Sequence, residues 1–342
     1  MLTVNKIHHF FILMAAFLCY GVVDAEEVRP NLQLYQRPEN IPFPADNPYT
    51  PEKVALGKKL FFDTRLSRDQ NISCASCHNP SFGWEVPFAR AIGAGGKPLG
   101  RQAPSNLNLA WSAHFFWDGR ANSLEQQASG PIQAPMEMDI KLVDLVKRLK
   151  QVNGYINAFN ISFPNEGLTA DNILKAIGVY ERTLISGEAP FDRWLAGDQK
   201  AVSDSAKRGY TLFNSKARCV SCHRSWNFTD DQFHDIGLPV SAQKPDIGRA
   251  KISSNEVDKF AFKTPGLREI SQRAPYMHDG SVKTLTDVVR HYASGVINRP
   301  TLSKQMPAKI DLSEQEIADL VNFMKTLTSD HAMLSMPNLP AN

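Results

Sequence analysis

The sequence predicts a mainly α-helical fold made of two copies of one domain, joined by long loops. A five-residue motif, Cys-x-x-Cys-His, occurs twice, and similar helical patterns surround both copies. Alternating strand patterns are sparse, which argues against an extended sheet. The chain has 20 Gly and 22 Pro among 342 residues, so we expect short helices separated by long loops.

Composition narrows the class of protein further. Hydrophobic residues make up 42% of the chain and charged residues 21%, which is ordinary for a folded globular protein. The length predicts two domains, or one large one. The formal net charge of +3 is too small and too evenly spread to indicate a nucleic-acid partner.

The first 25 residues have the pattern of a secretory signal peptide. Lys6 precedes an apolar run over residues 10–23, and the small residue Ala25 precedes the expected cut. The run is short for a membrane span, although an uncleaved anchor is the alternative. We therefore expect a periplasmic chain with no membrane span once residues 1–25 are removed.

Four of the five cysteines fall in the repeated motif. A redox pair, a zinc site or structural disulfides would not explain why a histidine follows both copies directly. The pattern is typical of c-type haem, in which two thioether bonds hold the porphyrin and the adjacent histidine binds the iron. The predicted haem-binding residues are Cys74, Cys77 and His78 for the first haem and Cys219, Cys222 and His223 for the second.

Helical patterns are duplicated around the two motifs. Gly57-Lys-Lys-Leu60-Phe61 precedes the first motif, and Gly209-Tyr-Thr-Leu212-Phe213 precedes the second. Helices are also predicted after Thr169 and Ser313, and only Ser313, with Glu316, forms a full capping box. The domain boundary falls within residues 187–200. We expect cytochrome c-type domains over 26–190 and 191–342, each with one covalently bound haem.

Two further segments are candidates for the chemistry. Residues 79–138 form a long loop rich in Gly, Pro and aromatic residues, and long ordered loops are usually functional. In a helix begun by Thr284, the side chain of Tyr292 shares an apolar face with Leu285 and Val289 and points inward. From the residues alone, Tyr292 is a core tyrosine or a haem ligand. His291, Met277 and Met306 are the rival ligands.

Three segments, together with the two motifs, resemble the bacterial di-haem cytochrome c peroxidase family over nearly the whole mature chain. Within that family, the sequence is most similar to the branch that completes the tryptophan tryptophylquinone cofactor of methylamine dehydrogenase. The segments are Phe116-Trp117-Asp118-Gly119-Arg120-Ala121, Pro135-Met136-Glu137-Met138 and Ala274-Pro275-Tyr276-Met277-His278-Asp279-Gly280.

The resemblance implies different iron ligands for the two haems. Tyr292 stands fourteen residues after His278, where the peroxidases have a Met ligand, so it becomes the expected sixth ligand of the second haem. A phenolate oxygen stabilises high oxidation states, whereas a thioether favours Fe(II). Ala94 stands where many peroxidases have a histidine that blocks the first haem. We therefore expect the first haem to be high-spin and open to peroxide in the ferric protein.

The resemblance also assigns roles around the first haem. Glu137 is the expected proton carrier, because its apolar neighbours Met136 and Met138 would raise its pKa. Gln127 and Pro131 line the same distal pocket, and Trp117 lies between the haems. A calcium ion is partly held by an Asn in these relatives, and Gln102 is its counterpart here, so calcium is a further expected cofactor. His234 and His278 are expected to be structural or to bind haem propionates.

Hydrogen peroxide and a methylamine dehydrogenase precursor are the partners that the resemblance implies. Oxidising equivalents would pass from the His78 haem through Trp117 to the second haem, and then by long-range electron transfer to tryptophans of the precursor. One alternative is a di-haem peroxidase that takes electrons from a small cytochrome c or copper protein. A protein of another class, a di-haem electron carrier, is the second alternative.

Overall fold

The protein is mainly helical, with short helices separated by loops. The computed structural model describes residues 28–241, 243–307, 309–330 and 334–341, so the predicted signal peptide lies outside the described residues. The α-helices are α1 Leu32–Tyr35, α2 Pro51–Phe62, α3 Cys74–Cys77, α4 Leu124–Gln133, α5 Leu142–Leu149, α6 Asn153–Ser162, α7 Ala170–Arg182, α8 Pro190–Leu195, α9 Asp204–Asn214, α10 Ala250–Ser253, α11 Leu285–Arg290 and α12 Glu314–Lys325.

Shorter elements complete the chain. Strands β1 Phe233–His234 and β2 Phe262–Lys263 form one antiparallel pair, in which Phe233 faces Lys263. Single 3₁₀ turns cover Thr64–Leu66, Pro80–Phe82, Ala94–Gly96, Leu109–Trp111, Cys219–Ser221, Glu256–Asp258 and Ile270–Gln272, and a π-turn covers His291–Gly295. Among the described residues, no helix is long and apolar enough to cross a membrane. The predicted fold class is confirmed.

Side-chain caps start the long helices where the sequence predicts them. The hydroxyl of Thr169 accepts a hydrogen bond from the Asn172 amide at the start of α7. At the start of α12, Ser313 and Glu316 form the full capping box. These bonds satisfy amides that have no partner inside the helix, so they fix where each helix begins.

A glycine contact joins the two long helices in each half. A Cβ atom on Gly57 of α2 would lie 2.0 Å from the carbonyl oxygen of Ala176 in α7. A Cβ atom on Gly209 of α9 would lie at the same distance from the carbonyl oxygen of Asp319 in α12. Both crossings therefore require the absence of a side chain. The two halves repeat one packing arrangement, as their sequence patterns predict.

A second repeated element is a tight turn closed by one β-bridge. Phe115 pairs with Ala121 in the first half, and Tyr276 pairs with Val282 in the second. In each turn the second and fifth residues have positive φ angles. Trp117 and His278 occupy the same position in the two turns.

The two halves exchange segments near the ends of the described chain. Tyr35 is fully buried in the core of the second half, where it stacks on Phe228 at 4.9 Å and donates to Asn214 at 2.8 Å. In return, the carbonyl of Pro340 accepts a hydrogen bond from Arg65 in the first half at 3.0 Å. The boundary predicted within residues 187–200 stays a prediction, and α8 packs in the second core.

We expect Gly57→Ala and Gly209→Ala each to lower the free energy of unfolding by about 1–3 kcal/mol, because the added methyl group must displace a backbone carbonyl. Gly100→Ala is the matched control, since nothing lies within 4 Å of a Cβ there. Denaturant unfolding of the haem-loaded protein measures both. Equal effects at all three positions would contradict this account of the helix crossings.

Candidate haem sites

The first motif places one neutral imidazole beside a cavity. Cys74 and Cys77 lie at the two ends of α3, and His78 follows directly. The Nδ1 atom of His78 lies 3.3 Å from the Trp84 carbonyl oxygen, which can only accept, so Nδ1 is the donor. Burial lowers the pKa of His78 to about 4. The ring is therefore neutral, and Nε2 keeps a lone pair that is available to bind iron.

The second motif repeats this arrangement. Nδ1 of His223 lies 2.9 Å from the carbonyl oxygen of Phe228, and burial lowers the pKa of His223 as well. Before haem attachment, burial raises the pKa of Cys77 to about 11 and that of Cys219 to about 12, so both thiols are neutral at neutral pH. Among the described residues, no cysteine of the two motifs forms a disulfide.

Each motif lies at a cavity. The first cavity has a volume of about 950 Å³ and is lined by Cys77 and His78. Two buried nitrogens of its lining residues, Nδ1 of His114 and Nη2 of Arg268, have no hydrogen-bond partner among the described residues. The carboxylates of haem propionates would satisfy such groups. These residues therefore fit a haem.

The second cavity is lined mainly by apolar side chains. Cys219, Cys222 and His223 lie at this cavity. Apolar side chains suit the flat apolar face of a porphyrin, so these residues also fit a haem. The apolar lining consists of Phe213, Leu267, Leu285, Val288, Val289, Ile310, Leu312, Leu320 and Met324 with several further residues.

Trp117 lines both cavities. Its indole Nε1 donates to the carbonyl oxygen of Gln102 at 2.9 Å, which fixes the orientation of the ring. The edge of the ring meets His278, with ring centroids 6.4 Å apart. Trp117 thus lies between the two cavities.

Three residues predicted for the distal pocket meet at the first cavity. Glu137, Gln127 and Pro131 all line it. Burial raises the pKa of Glu137, and the nearby positive charge of Arg120 partly opposes the shift. The direction agrees with the prediction, so the carboxyl holds a proton at higher pH than an exposed glutamate does.

The loop around Ala94 supports the backbone of Glu137. The Ala94 amide donates to the Glu137 carbonyl oxygen at 2.8 Å. A Cβ atom on Gly93 would lie 1.8 Å from the Met136 carbonyl oxygen, so only glycine permits this approach. Ala94 has no side-chain atom that could bind iron. Here the loop positions the Glu137 segment.

Tyr292 lies in the π-turn that continues α11, and it lines the second cavity together with Leu285, Val288 and Val289. Its hydroxyl makes no hydrogen bond to any described residue, and burial raises its pKa. A phenolate therefore forms there only beside a cation. The rival ligand His291 is held by the backbone instead, because its Nε2 atom lies 2.9 Å from the carbonyl oxygen of Ile236. Met277 and Met306 also line this cavity.

The internal repeat relates Tyr292 to Pro131. Pro131 follows Trp117 at the same interval at which Tyr292 follows His278, and both lie in the helix after the repeated turn. The first half therefore has a side chain without a ligand atom where the second half has a phenol. This difference favours an open coordination position at the first haem.

The remaining predicted residues are held by protein groups. Both ring nitrogens of His234 are engaged, with Ser303 and Asp230 at 2.9 Å each. The ring of His278 stacks on Phe262. These contacts give both histidines structural partners.

Gln102 does not present a calcium ligand. Its side-chain nitrogen donates to the carboxylate of Glu85 at 2.8 Å and to the carbonyl oxygen of Pro275 at 3.0 Å. An amide nitrogen does not bind calcium, and the neighbouring oxygens already accept hydrogen bonds. The described residues at this position do not fit the predicted calcium ion.

Sequence reasoning missed two buried groups near the haem motifs. Glu181 of α7 accepts from Asn106 at 2.9 Å, and its other carboxylate oxygen has no partner among the described residues. Arg273 and Glu85 form a buried ion pair beside Gln102. Comparison of the two halves of the sequence could have pointed to Glu181, because α12 has the apolar Met324 at the equivalent position. It gives no such signal for the ion pair of Arg273 and Glu85.

Comparison with known families agrees with this geometry. Residues 51–200 match the family model of the di-haem cytochrome c peroxidases, and residues 206–328 match that of cytochrome c. The chain belongs to the di-haem cytochrome c peroxidase family, as predicted, and is a haem-dependent oxidoreductase with two c-type haems.

Among its relatives, the chain is 50% identical to the methylamine utilization protein MauG of Methylorubrum extorquens, over 90% of this chain and 86% of that protein. It is 45% identical to the MauG protein of Methylophilus methylotrophus, over 91% and 92%. Identity to the cytochrome c551 peroxidase of Pseudomonas aeruginosa is 33%, over 89% and 87%. The predicted branch of the family is confirmed.

Solved structures show the same fold. A MauG-like protein associated with microbial copper homeostasis matches with a TM-score of 0.80 and 31% identity, over 86% of this chain and 95% of that one. The di-haem peroxidase BthA of Burkholderia thailandensis matches with a TM-score of 0.71 and 21% identity, over 86% and 91%, which supports the fold alone.

The buried carboxyl of Glu181 should make stability depend on pH. Burial raises its pKa from 4.5 to about 8, so between these values the folded state keeps a proton that the unfolded state releases. Stability therefore falls as pH rises through this window. Glu181→Gln removes the effect, and its stability relative to wild type should increase from pH 5 to pH 9.

Denaturant unfolding of the loaded protein at several pH values measures this difference. Glu166→Gln, at an exposed position, is the control and should show no such trend. A constant difference between Glu181→Gln and wild type at all pH values would show that Glu181 is ionised in the folded protein.

Proposed function

We propose that this protein is a periplasmic enzyme that uses peroxide to complete the tryptophan tryptophylquinone cofactor of a methylamine dehydrogenase precursor. The observation that carries the proposal is Tyr292, which lines the second cavity at the position where the family resemblance implies a methionine in the peroxidases. The two methylamine utilization relatives, at 50% and 45% identity, support it. Residues 1–25, with their signal-peptide pattern, support the periplasmic location.

The reaction balances as a two-electron exchange. Each hydrogen peroxide takes up two electrons and two protons and gives two waters, and the electrons come from tryptophan side chains of the precursor. When bound, the two haems supply the redox chemistry that links these half-reactions. The protein must move protons at the first cavity and electrons between the cavities.

Glu137 is the residue suited to proton transfer. It lines the first cavity beside Gln127 and Pro131, and burial raises its pKa, so its carboxyl is better able to hold a proton than an exposed glutamate is. In the proposal it takes a proton from one peroxide oxygen and delivers it to the other as the O–O bond breaks. Pro131 leaves room for peroxide because it offers no ligand atom.

Trp117 is the residue suited to electron transfer. Its ring lines both cavities, and its hydrogen bond to Gln102 holds it in place. An aromatic ring between two redox centres shortens each electron transfer step. Oxidising equivalents can therefore reach the second cavity, and the precursor need not enter either one.

Tyr292 and His223 are the proposed ligands of the second haem iron. Both line the second cavity, and the phenol has no hydrogen bond to any described residue that would compete for its oxygen. A phenolate stabilises high oxidation states, so oxidising equivalents can be stored where peroxide does not enter. The proposal includes no calcium ion at Gln102.

A second candidate is a peroxidase that detoxifies hydrogen peroxide with electrons from a small cytochrome c or copper protein. The 33% identity to a cytochrome c551 peroxidase favours it. A pure electron carrier is a weaker candidate, because Pro131 offers no ligand atom at the position where the second half has Tyr292.

The deciding experiment gives peroxide to the purified ferric protein together with either quinone-free methylamine dehydrogenase precursor or a reduced periplasmic electron carrier. Quinone absorbance in the precursor and slow oxidation of the carrier are the results expected. Rapid oxidation of the carrier and an unchanged precursor would establish the peroxidase function instead.

Glu137→Gln should slow cleavage of peroxide about 10²–10⁴-fold, because glutamine cannot carry a proton. Rapid mixing of the ferric protein with peroxide, followed by absorbance, measures the rate. Glu166→Gln changes an exposed glutamate that does not line the first cavity, so it is the control and should react like wild type. An unchanged rate in Glu137→Gln would remove its proposed role.

Tyr292→Met should keep both haems but lose quinone formation, because a thioether disfavours the high oxidation state that a phenolate stabilises. Haem content and the resting ferric spectrum establish that the variant is loaded. The quinone assay with the precursor then tests its activity. Full activity in this variant would overturn the assignment of Tyr292 as a ligand.

A further inference from the structure

A buried ion pair connects the surroundings of the two haem cavities. The Arg273 guanidinium contacts one carboxylate oxygen of Glu85 through Nε and Nη2, both at 2.7 Å. Arg273 is 6% exposed and Glu85 is 3% exposed. Arg273 lines both cavities, and Glu85 lines the second.

Both oxygens of the Glu85 carboxylate and three backbone carbonyl oxygens around this ion pair face nitrogen donors. Nη1 of Arg273 donates to the carbonyl oxygens of Gly266 at 2.7 Å and Arg268 at 3.0 Å. The amide nitrogen of Gln102 donates to the second oxygen of Glu85 and to the Pro275 carbonyl. Since a carboxylate and a carbonyl only accept, the amide must present its NH₂ group here.

This oxygen set is of the kind that calcium binds. A carboxylate and three backbone carbonyls are hard oxygen ligands. In this chain they surround a guanidinium and an amide NH₂ instead. The positive charge that a divalent ion would supply is therefore already present as a side chain.

The fold makes room for this side chain. Gly83 has a φ angle of +60°, and a Cβ atom there would lie 2.5 Å from Cγ of Arg273. Any other residue at position 83 would push the arginine away from Glu85. Two independent features, a glycine and a carboxylate, thus fix the arginine in place.

We propose that the Arg273 guanidinium takes the place of a divalent metal ion between the two haem cavities. On one side Arg273 binds Glu85, which follows Trp84, and the Trp84 carbonyl orients His78. On the other side Arg273 binds the carbonyl of Gly266, which follows Pro265, and the Pro265 backbone interacts with His223. Arg273 is a positioning residue that links the supports of both iron-binding histidines. The inference holds for either function considered above.

The first test uses the wild-type, haem-loaded protein after dialysis against calcium and gel filtration. Metal analysis should find far less than one calcium ion per chain, and a chelator should leave the ferric spectrum and both haem reduction potentials unchanged. One bound calcium per chain, or a spectral change that added calcium reverses, would overturn the proposal.

Arg273→Ala provides the second test, because it frees the oxygens around Glu85. The reduction potentials of the haems should shift, and millimolar calcium should reverse the shift and raise the Tm of this variant by several degrees. Wild type should show neither response. Failure of calcium to act on a folded Arg273→Ala protein would contradict the claim that the guanidinium stands in for a cation.

Two controls separate this role from general stability. Glu85→Gln combined with Arg273→Met removes both charges, so it should fold without the calcium response. Arg290→Ala breaks an exposed ion pair with Glu314 and should behave like wild type. If Arg273→Ala does not fold, the metal analysis and chelator experiments on wild type still decide the question.

Discussion

The close contact of two backbones in each half is the constraint on which the rest depends. Gly57 against Ala176 and Gly209 against Asp319 let the helix before each cysteine motif cross the last helix of its half. Each crossing thereby positions the cysteine motif that follows it beside its cavity. Because the same crossing occurs twice, the protein has two haem cavities with one common frame.

The frame is shared, but the residues that decide reactivity differ. Trp117 and His278 occupy the same point of the repeated turn, and Pro131 and Tyr292 the same point of the helix that follows. At this position the first half has a proline, which offers no ligand atom, and the second half has a phenol. A duplicated fold can in this way separate the reaction with a small oxidant from the storage of its oxidising equivalents.

Local patterns made much of this predictable from sequence. The motifs, the caps of α7 and α12, and the inward face of Tyr292 depend on residues a few positions apart. The ion pair of Arg273 and Glu85 joins residues 188 positions apart, and neither has a motif. Its assembly depends on how the halves pack, which the spacing of residues does not encode. The hydrogen bonds of the Gln102 side chain could not be predicted for the same reason, because Glu85 and Pro275 come from other segments.

The exchange of segments between the halves also has a topological consequence. Tyr35 completes the core of the second half, while Pro340 contacts Arg65 and Gly154 in the first. Each half therefore has contacts that a segment of the other half supplies. A hinge motion that separated the two cavities would therefore have to break both the contacts of Tyr35 and those of Pro340. This favours a fixed separation between the two redox centres during turnover.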